Sequence, residues 1–86
     1  MTLRLREEDL DWREIDGEIV ALDAQAAVYL ALQGSGAVLW RRLADATTRD
    51  GLVDALVDTY GIAATRAAED VDEFLKMLNE RGLLTL

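Results

Sequence analysis

Apolar residues recur every second position in the first third of the chain and every third or fourth position thereafter, so the pattern predicts strands followed by helices. Leu3 and Leu5 alternate with charge in "LRLRE", and "DWREIDGEIVALDAQAAVYLAL", residues 11–32, reads as two or three short strands. Asp16-Gly17 is a hairpin turn signal, because a tight primed turn needs a positive φ that glycine adopts freely. Asp23-Ala24-Gln25 reverses the chain once more, which predicts a three-stranded meander. Three helical stretches follow. The first runs from about Ser35, a candidate N-cap, to Leu43, with Leu39, Trp40 and Leu43 on one face. The second runs from about Thr48 to Tyr60, opened by Thr47 or Thr48; Leu52, Val53, Leu56, Val57 and Tyr60 recur at helical spacing before Gly61 ends it. The third opens near Thr65 and carries Ala67, Val71, Phe74, Leu75 and Leu78 on one side. Gly82 stands where a left-handed C-cap belongs, and Leu83 is placed to fold back on Leu78. Leu84 to Leu86 form a short apolar end. A three-stranded antiparallel sheet followed by three helices is an α+β arrangement, winged helix-turn-helix-like in its order.

Composition narrows what such a fold can do. The 86 residues, 51% of them hydrophobic, suit one domain spanning residues 1–86 with one modest core. No internal repeat or Pro-rich linker marks a second domain. With 17 acidic against 9 basic side chains the net charge is −8, which repels a phosphate backbone or an anionic bilayer. The expectation is therefore no nucleic acid and no membrane partner. The N-terminus lacks the apolar run of a signal peptide, and no stretch approaches the roughly 20 apolar residues of a membrane span, so a cytoplasmic protein is expected.

Catalysis has little to build on. There is no Cys and no His, which removes thiolate nucleophiles, imidazole bases and most zinc sites together. Gly34-Ser35-Gly36 lacks the glycine spacing and the Lys of a phosphate-binding loop. Glu7, Glu8 and Asp9 are adjacent carboxylates in an N-terminal segment, a pattern that reads as solvated charge rather than a cation site. Trp40, between Leu39 and Leu43, reads as core. The expectation is a protein that is not an enzyme and needs no cofactor or metal. Two other classes stay in view. An acyl or peptidyl carrier is also small and acidic, but its modified serine sits in an Asp-Ser-Leu context, whereas Gly34 precedes Ser35 here. A DNA-reading winged helix needs basic and amide side chains on its reading helix, and the second and third helices carry many carboxylates.

The ordered set "WREIDGEIVALD", "VYLALQGSGAVLWRRL" and Asp70-Val71-x-x-Phe74-Leu75-x-x-Leu78-x-x-Arg81-Gly82-Leu83-Leu84 resembles the PqqD-like proteins, the precursor-peptide recognition elements of ribosomal peptide natural product pathways. The resemblance runs from about Leu10 to Leu84, with one departure: Gln33-Gly34-Ser35 replaces the family's Asn-Glu-Thr-like corner. It implies that a precursor's leader adds as a strand to the edge of the third strand of the meander, in a cleft closed by the third helix. On this chain the edge would be Ala26 to Leu32, uncharged and without the Lys or Pro that blunt an edge, with Val28, Leu30 and Leu32 on one face and Ala27, Tyr29 and Ala31 on the other. Val71, Phe74, Leu75 and Leu78 would divide between the core and the cleft floor, with Asp70, Asp72 and Glu73 at its rim. Tyr29 and Phe74 are the implied contacts for an apolar or aromatic anchor of the leader. The implied partners are the leader peptide and a leader peptidase or other modifying enzyme. A stand-alone element with the "GAVLW" helix is more similar to those of lasso peptide pathways than to the pyrroloquinoline quinone type, a peptide chaperone for a radical enzyme, which is the alternative.

Overall fold

The computed structural model describes residues 1–85; Leu86, the end of the apolar C-terminal run, lies outside them. The chain forms β1 (Arg4–Leu5), β2 (Leu10–Ile15), β3 (Glu18–Asp23), β4 (Val28–Leu32), α1 (Ser35–Ala44), α2 (Arg49–Tyr60), α3 (Ala64–Glu80) and β5 (Leu84–Thr85). The predicted meander is the antiparallel sheet β2-β3-β4, followed by the three predicted helices, and the class is α+β. Asp16 and Gly17 both take positive φ, as the hairpin signal requires.

Each helix is bounded by identifiable chemistry. Thr48 caps α2, its side chain accepting a hydrogen bond from the Gly51 N–H, and left-handed Gly61 ends it. At the end of α3, Gly82 at φ 69 lets the Leu83 N–H donate to the Leu78 carbonyl at 2.9 Å and the Gly82 N–H to the Asn79 carbonyl at 3.0 Å. This is a Schellman stop, and Leu83 and Leu78 are both buried beside it. The first helix departs from expectation. Gly34, at φ 56, makes the corner and occupies the N-cap position, so Ser35 is already helical and makes no side-chain cap. Helix α3 opens at Ala64, just before Thr65, with Ala63 at its N-cap.

The core lies between the inner face of the sheet and the helices. Ile19 and Ala21 of β3 meet Ala37, Leu39, Trp40 and Leu43 of α1, Leu52 and Leu56 of α2, and Ala67, Val71 and Leu78 of α3. Trp40 is fully buried, as its apolar surroundings predict, with the Trp12 ring edge-on at 6.2 Å.

The alternation of Leu3 and Leu5 is strand, as its period predicts, and its partner is the other end of the chain, a pairing that periodicity does not reveal. β1 pairs with β5, Arg4 opposite Thr85 and Leu5 opposite Leu84, and Leu3 bridges to Thr47 ahead of α2. Two-residue strands carry too little pattern to identify each other; burial of Leu3 and Leu5 in the shared core holds β1 in place. Arg6 follows directly. Its guanidinium donates to the carbonyls of Glu8 at 2.8 Å, Gly82 at 3.0 Å and Asp9 at 3.3 Å, and to the Asp23 carboxylate at 2.6 Å. Asp23 is only 4% exposed, and the same carboxylate oxygen accepts the N–H groups of Gln25 at 3.1 Å and Ala26 at 3.4 Å.

Arg6, and then the backbone donors of the turn, hold the Asp23 carboxyl below its ordinary value of 3.8 against the opposing effect of burial. A lowered carboxyl pKa means that the unfolded chain binds the proton more readily than the folded one, so this contribution is complete above the ordinary carboxylate value and is lost as the pH falls through the folded pKa. Asp23→Asn is therefore expected to be less stable than the parent at pH 7, with the difference shrinking below about pH 4. Thermal melts followed by tryptophan fluorescence at pH 7, 5 and 3 check this; an unchanging gap contradicts the assignment.

Candidate functional site

β4 pairs with β3 on one side only: Ile19 stands opposite Leu32, Ala21 opposite Leu30 and Asp23 opposite Val28. Its other edge has no strand partner among the described residues. The expected alternation holds. Val28, Leu30 and Leu32 are half-buried on the core side, while Tyr29, 72% exposed, and Ala31 point outward. The strand is shorter than expected at its start. The Asp23 carboxylate closes a turn over residues 24–27, and Ala27 at φ 57 is left-handed, so Ala26 and Ala27 precede the edge rather than forming part of it. Val28 to Leu32 remain, five residues and no charge.

Helix α3 presents its residues to three surroundings. Val71 and Leu78 are fully buried and belong to the core. Phe74 and Leu75 are half-buried against it. Asp70, Glu73, Phe74 and Met77 line a groove of about 330 Å³ with Ser35, Gly36 and Leu39 of α1. Asp72 points elsewhere. Its two oxygens accept from Arg49 Nε at 2.7 Å and Nη2 at 2.9 Å, tying α3 to the start of α2. That bidentate bond holds the Asp72 carboxyl below its usual value and the Arg49 guanidinium above its own. A side chain so engaged is separated from Asp70 and Glu73, because residues one or two apart on a helix face different ways.

The groove floor is an element that the hydrophobic pattern assigned only to the core. The first turn of α1 runs under it, and an ideal Cβ at Gly36 would stand 3.6 Å from Leu32 Cδ2 and 3.8 Å from Phe74 Cε1. The end of β4, the start of α1 and the Phe74 ring therefore converge at one residue. Beyond Asp70 the surface opens into a second hollow of about 490 Å³, lined by Gly34, Ser35, Leu56, Tyr60, Ile62, Arg66 and Asp70. Tyr60, read as part of an apolar helix face, is 46% exposed there. Its position immediately before the helix-ending Gly61 is the local signal that it leaves the core. Among the described residues no group of three His, Cys, Asp or Glu side chains is placed to hold a metal ion, and no helix is long and apolar enough to cross a membrane.

Comparisons with known proteins match most of the chain. A family model described as coenzyme PQQ synthesis protein D (PqqD) matches residues 18–84. No curated protein matches the chain in a sequence search. Among solved structures, TbiB1 in complex with the TbiA(beta) leader peptide is similar at a TM-score of 0.87 and 26% identity, over 94% of this chain and 93% of that one. A lasso peptide synthetase B1 complexed with the leader peptide is similar at a TM-score of 0.83 and 25% identity, over 98% of both chains.

The division along α3 predicts different costs for truncation. Leu78→Ala, which empties a fully buried site, is expected to lower stability by about 2–5 kcal/mol. Phe74→Ala removes a half-buried ring over an open groove and is expected to cost about 1–2 kcal/mol, below the range for a fully buried aromatic. Urea unfolding of both variants checks the order, and equal losses would place Phe74 in the core.

Proposed function

The chain belongs to the PqqD family, and from that membership we propose that it captures the leader of a ribosomally made precursor peptide and delivers it to a modifying enzyme, without itself performing catalysis. The observation that carries the reading is the uncharged, one-sided edge of β4, whose last residue, Leu32, adjoins at Gly36 a groove formed by α1 and α3. The similar structures TbiB1 and lasso peptide synthetase B1 are both in complex with leader peptides, which favours a lasso peptide pathway over the pyrroloquinoline quinone type. The leader would pair with Val28 to Leu32 and turn alternate side chains toward the groove.

Magnitudes locate where affinity arises. Each edge hydrogen bond contributes about 0.5–1.5 kcal/mol net. Ordering an extended peptide costs about 1–2 kcal/mol per residue. Strand pairing along a five-residue edge is therefore close to self-cancelling, and net affinity comes from apolar side chains buried at about 25 cal/mol per Å². Pairing sets register and direction; the groove sets strength and choice. Glu73, and to a lesser degree Asp70 with Arg66 3.7 Å away, favour a basic neighbour in the leader over an acidic one.

The enzyme needs another surface. The outer face of the sheet carries Val20, Leu22, Tyr29 and Ala31 in adjacent cross-strand positions, turned away from the core-facing row of Ile19 and Ala21. A leader paired to β4 would extend that same face, which suits an enzyme that must meet the domain and the leader together. The cytoplasm, where the precursor is translated, is the compartment in which this encounter would occur.

Fluorescence anisotropy with the labelled synthetic leader of the chain's own precursor peptide tests the reading. Saturable binding at micromolar or tighter, about −8 kcal/mol or better, is expected, and loss on scrambling. Binding equal to that of the scrambled peptide contradicts it. N-methylation of single leader amides tests the pairing: only amides of one parity face β4, so binding is expected to fall at alternate positions and persist between them. Uniform tolerance would rule out strand addition.

A further inference from the structure

We infer that Gly36 is a specificity-determining residue of the leader groove, kept without a side chain so that the groove floor accepts one large apolar side chain of the leader; the inference rests on the leader-binding reading above. Glycine has two common structural reasons in a fold, and neither applies at this position. It lies within α1 and has no positive φ, so the backbone does not require it. A Cβ built there meets Leu32 Cδ2 at 3.6 Å, Leu32 Cβ at 3.7 Å and Phe74 Cε1 at 3.8 Å, all ordinary van der Waals distances, so no neighbour has to move. Alanine therefore fits, and glycine in a helix is the less stable choice because it leaves more backbone freedom to lose on folding.

The space that the missing side chain leaves has a definite place. Gly36 lines the groove with Leu39, Phe74 and Met77, and the atoms nearest its absent Cβ belong to the end of the β4 edge and to the α3 wall. An extended peptide paired to β4 would send an inward side chain into this corner. Its apolar lining is Leu39, Phe74 and Met77, and its polar lining is Ser35, Glu73 and Asp70, the last 3.7 Å from Arg66. The side chain admitted is thus large and apolar, aromatic or long aliphatic, and not acidic. A methyl group at the floor would make the pocket shallower, and in an apolar pocket one carbon changes discrimination by about 10–200-fold.

The test uses the labelled leader and a set of the same leader in which each large apolar residue in turn is cut to alanine, titrated against the parent, Gly36→Ala and Gly36→Val. Gly36→Ala is expected to raise Tm by about 2–8 °C. Gly36→Val is expected to weaken the full leader by at least about tenfold, and one truncated leader is expected to bind parent and variant alike, the coupling expected of groups in contact. If the valine variant does not fold, the alanine variant carries the same comparison with a smaller loss. A fall in Tm for Gly36→Ala overturns the inference, since glycine then serves the fold. So does binding of the full leader within twofold of the parent, or an equal loss across every truncated leader. If the parent itself binds no leader better than a scrambled one, the leader-binding reading falls first and this inference with it; parent binding with no Gly36 effect removes the inference alone.

Discussion

The guanidinium of Arg6 bonds groups from three parts of the chain: the carbonyls of Glu8 and Asp9 beside it, the Gly82 carbonyl that follows α3, and the Asp23 carboxylate at the end of β3. Its planar fork pairs the buried Asp23 carboxylate and gathers three exposed carbonyls around it. The consequence reaches the edge strand through Asp23. That carboxylate, held by Arg6, also gathers the Gln25 and Ala26 N–H groups and so closes the turn before β4. One side chain thereby fixes where the edge begins and ties the sheet to the stop of α3. Leu3 and Leu5, buried just before Arg6, anchor it in register.

The β4 edge is unusual for this chain in what it lacks. The protein is 30% charged, yet the run from Ala24 to Trp40 holds no charged residue. An unpaired edge without Lys or Pro invites another strand, which is a hazard where no guest is intended. Here the edge is five residues long, and its last residue, Leu32, adjoins the groove at Gly36. The carboxylates of α3 divide between tasks: Asp72 is bound to Arg49 and braces α2 against α3, while Asp70 and Glu73 remain at the groove.

The floor of the groove links function to packing. Leu39 is part of the core and part of the groove lining at once, and Phe74 meets the first turn of α1 while its neighbours Val71 and Leu78 are sealed. Changes at Phe74 and Gly36 alter the groove with little disturbance of the sealed core, whereas changes at Val71 or Leu78 act through stability.

Local chemistry determined much of this protein. The strand and helix periods, the Asp16-Gly17 hairpin, the Thr48 cap and the Leu78–Gly82–Leu83 stop all rest on neighbours within a few residues, and each was legible for that reason. The uncharged edge and the pattern around Phe74 were legible too, because each lies in one continuous stretch of sequence. What only the tertiary structure decided depends on residues far apart in sequence. Asp72 looked equivalent to Asp70 and Glu73 until the Arg49 side chain, on another helix, took it away. Ala27 looked like strand until a carboxylate fixed by Arg6 turned the chain at that point. The β1–β5 ladder and the α1 floor arise because the two ends of the chain and the first helical turn meet around one core. Periodicity records which side of an element is apolar; only packing decides which neighbour that side meets and where it is left open.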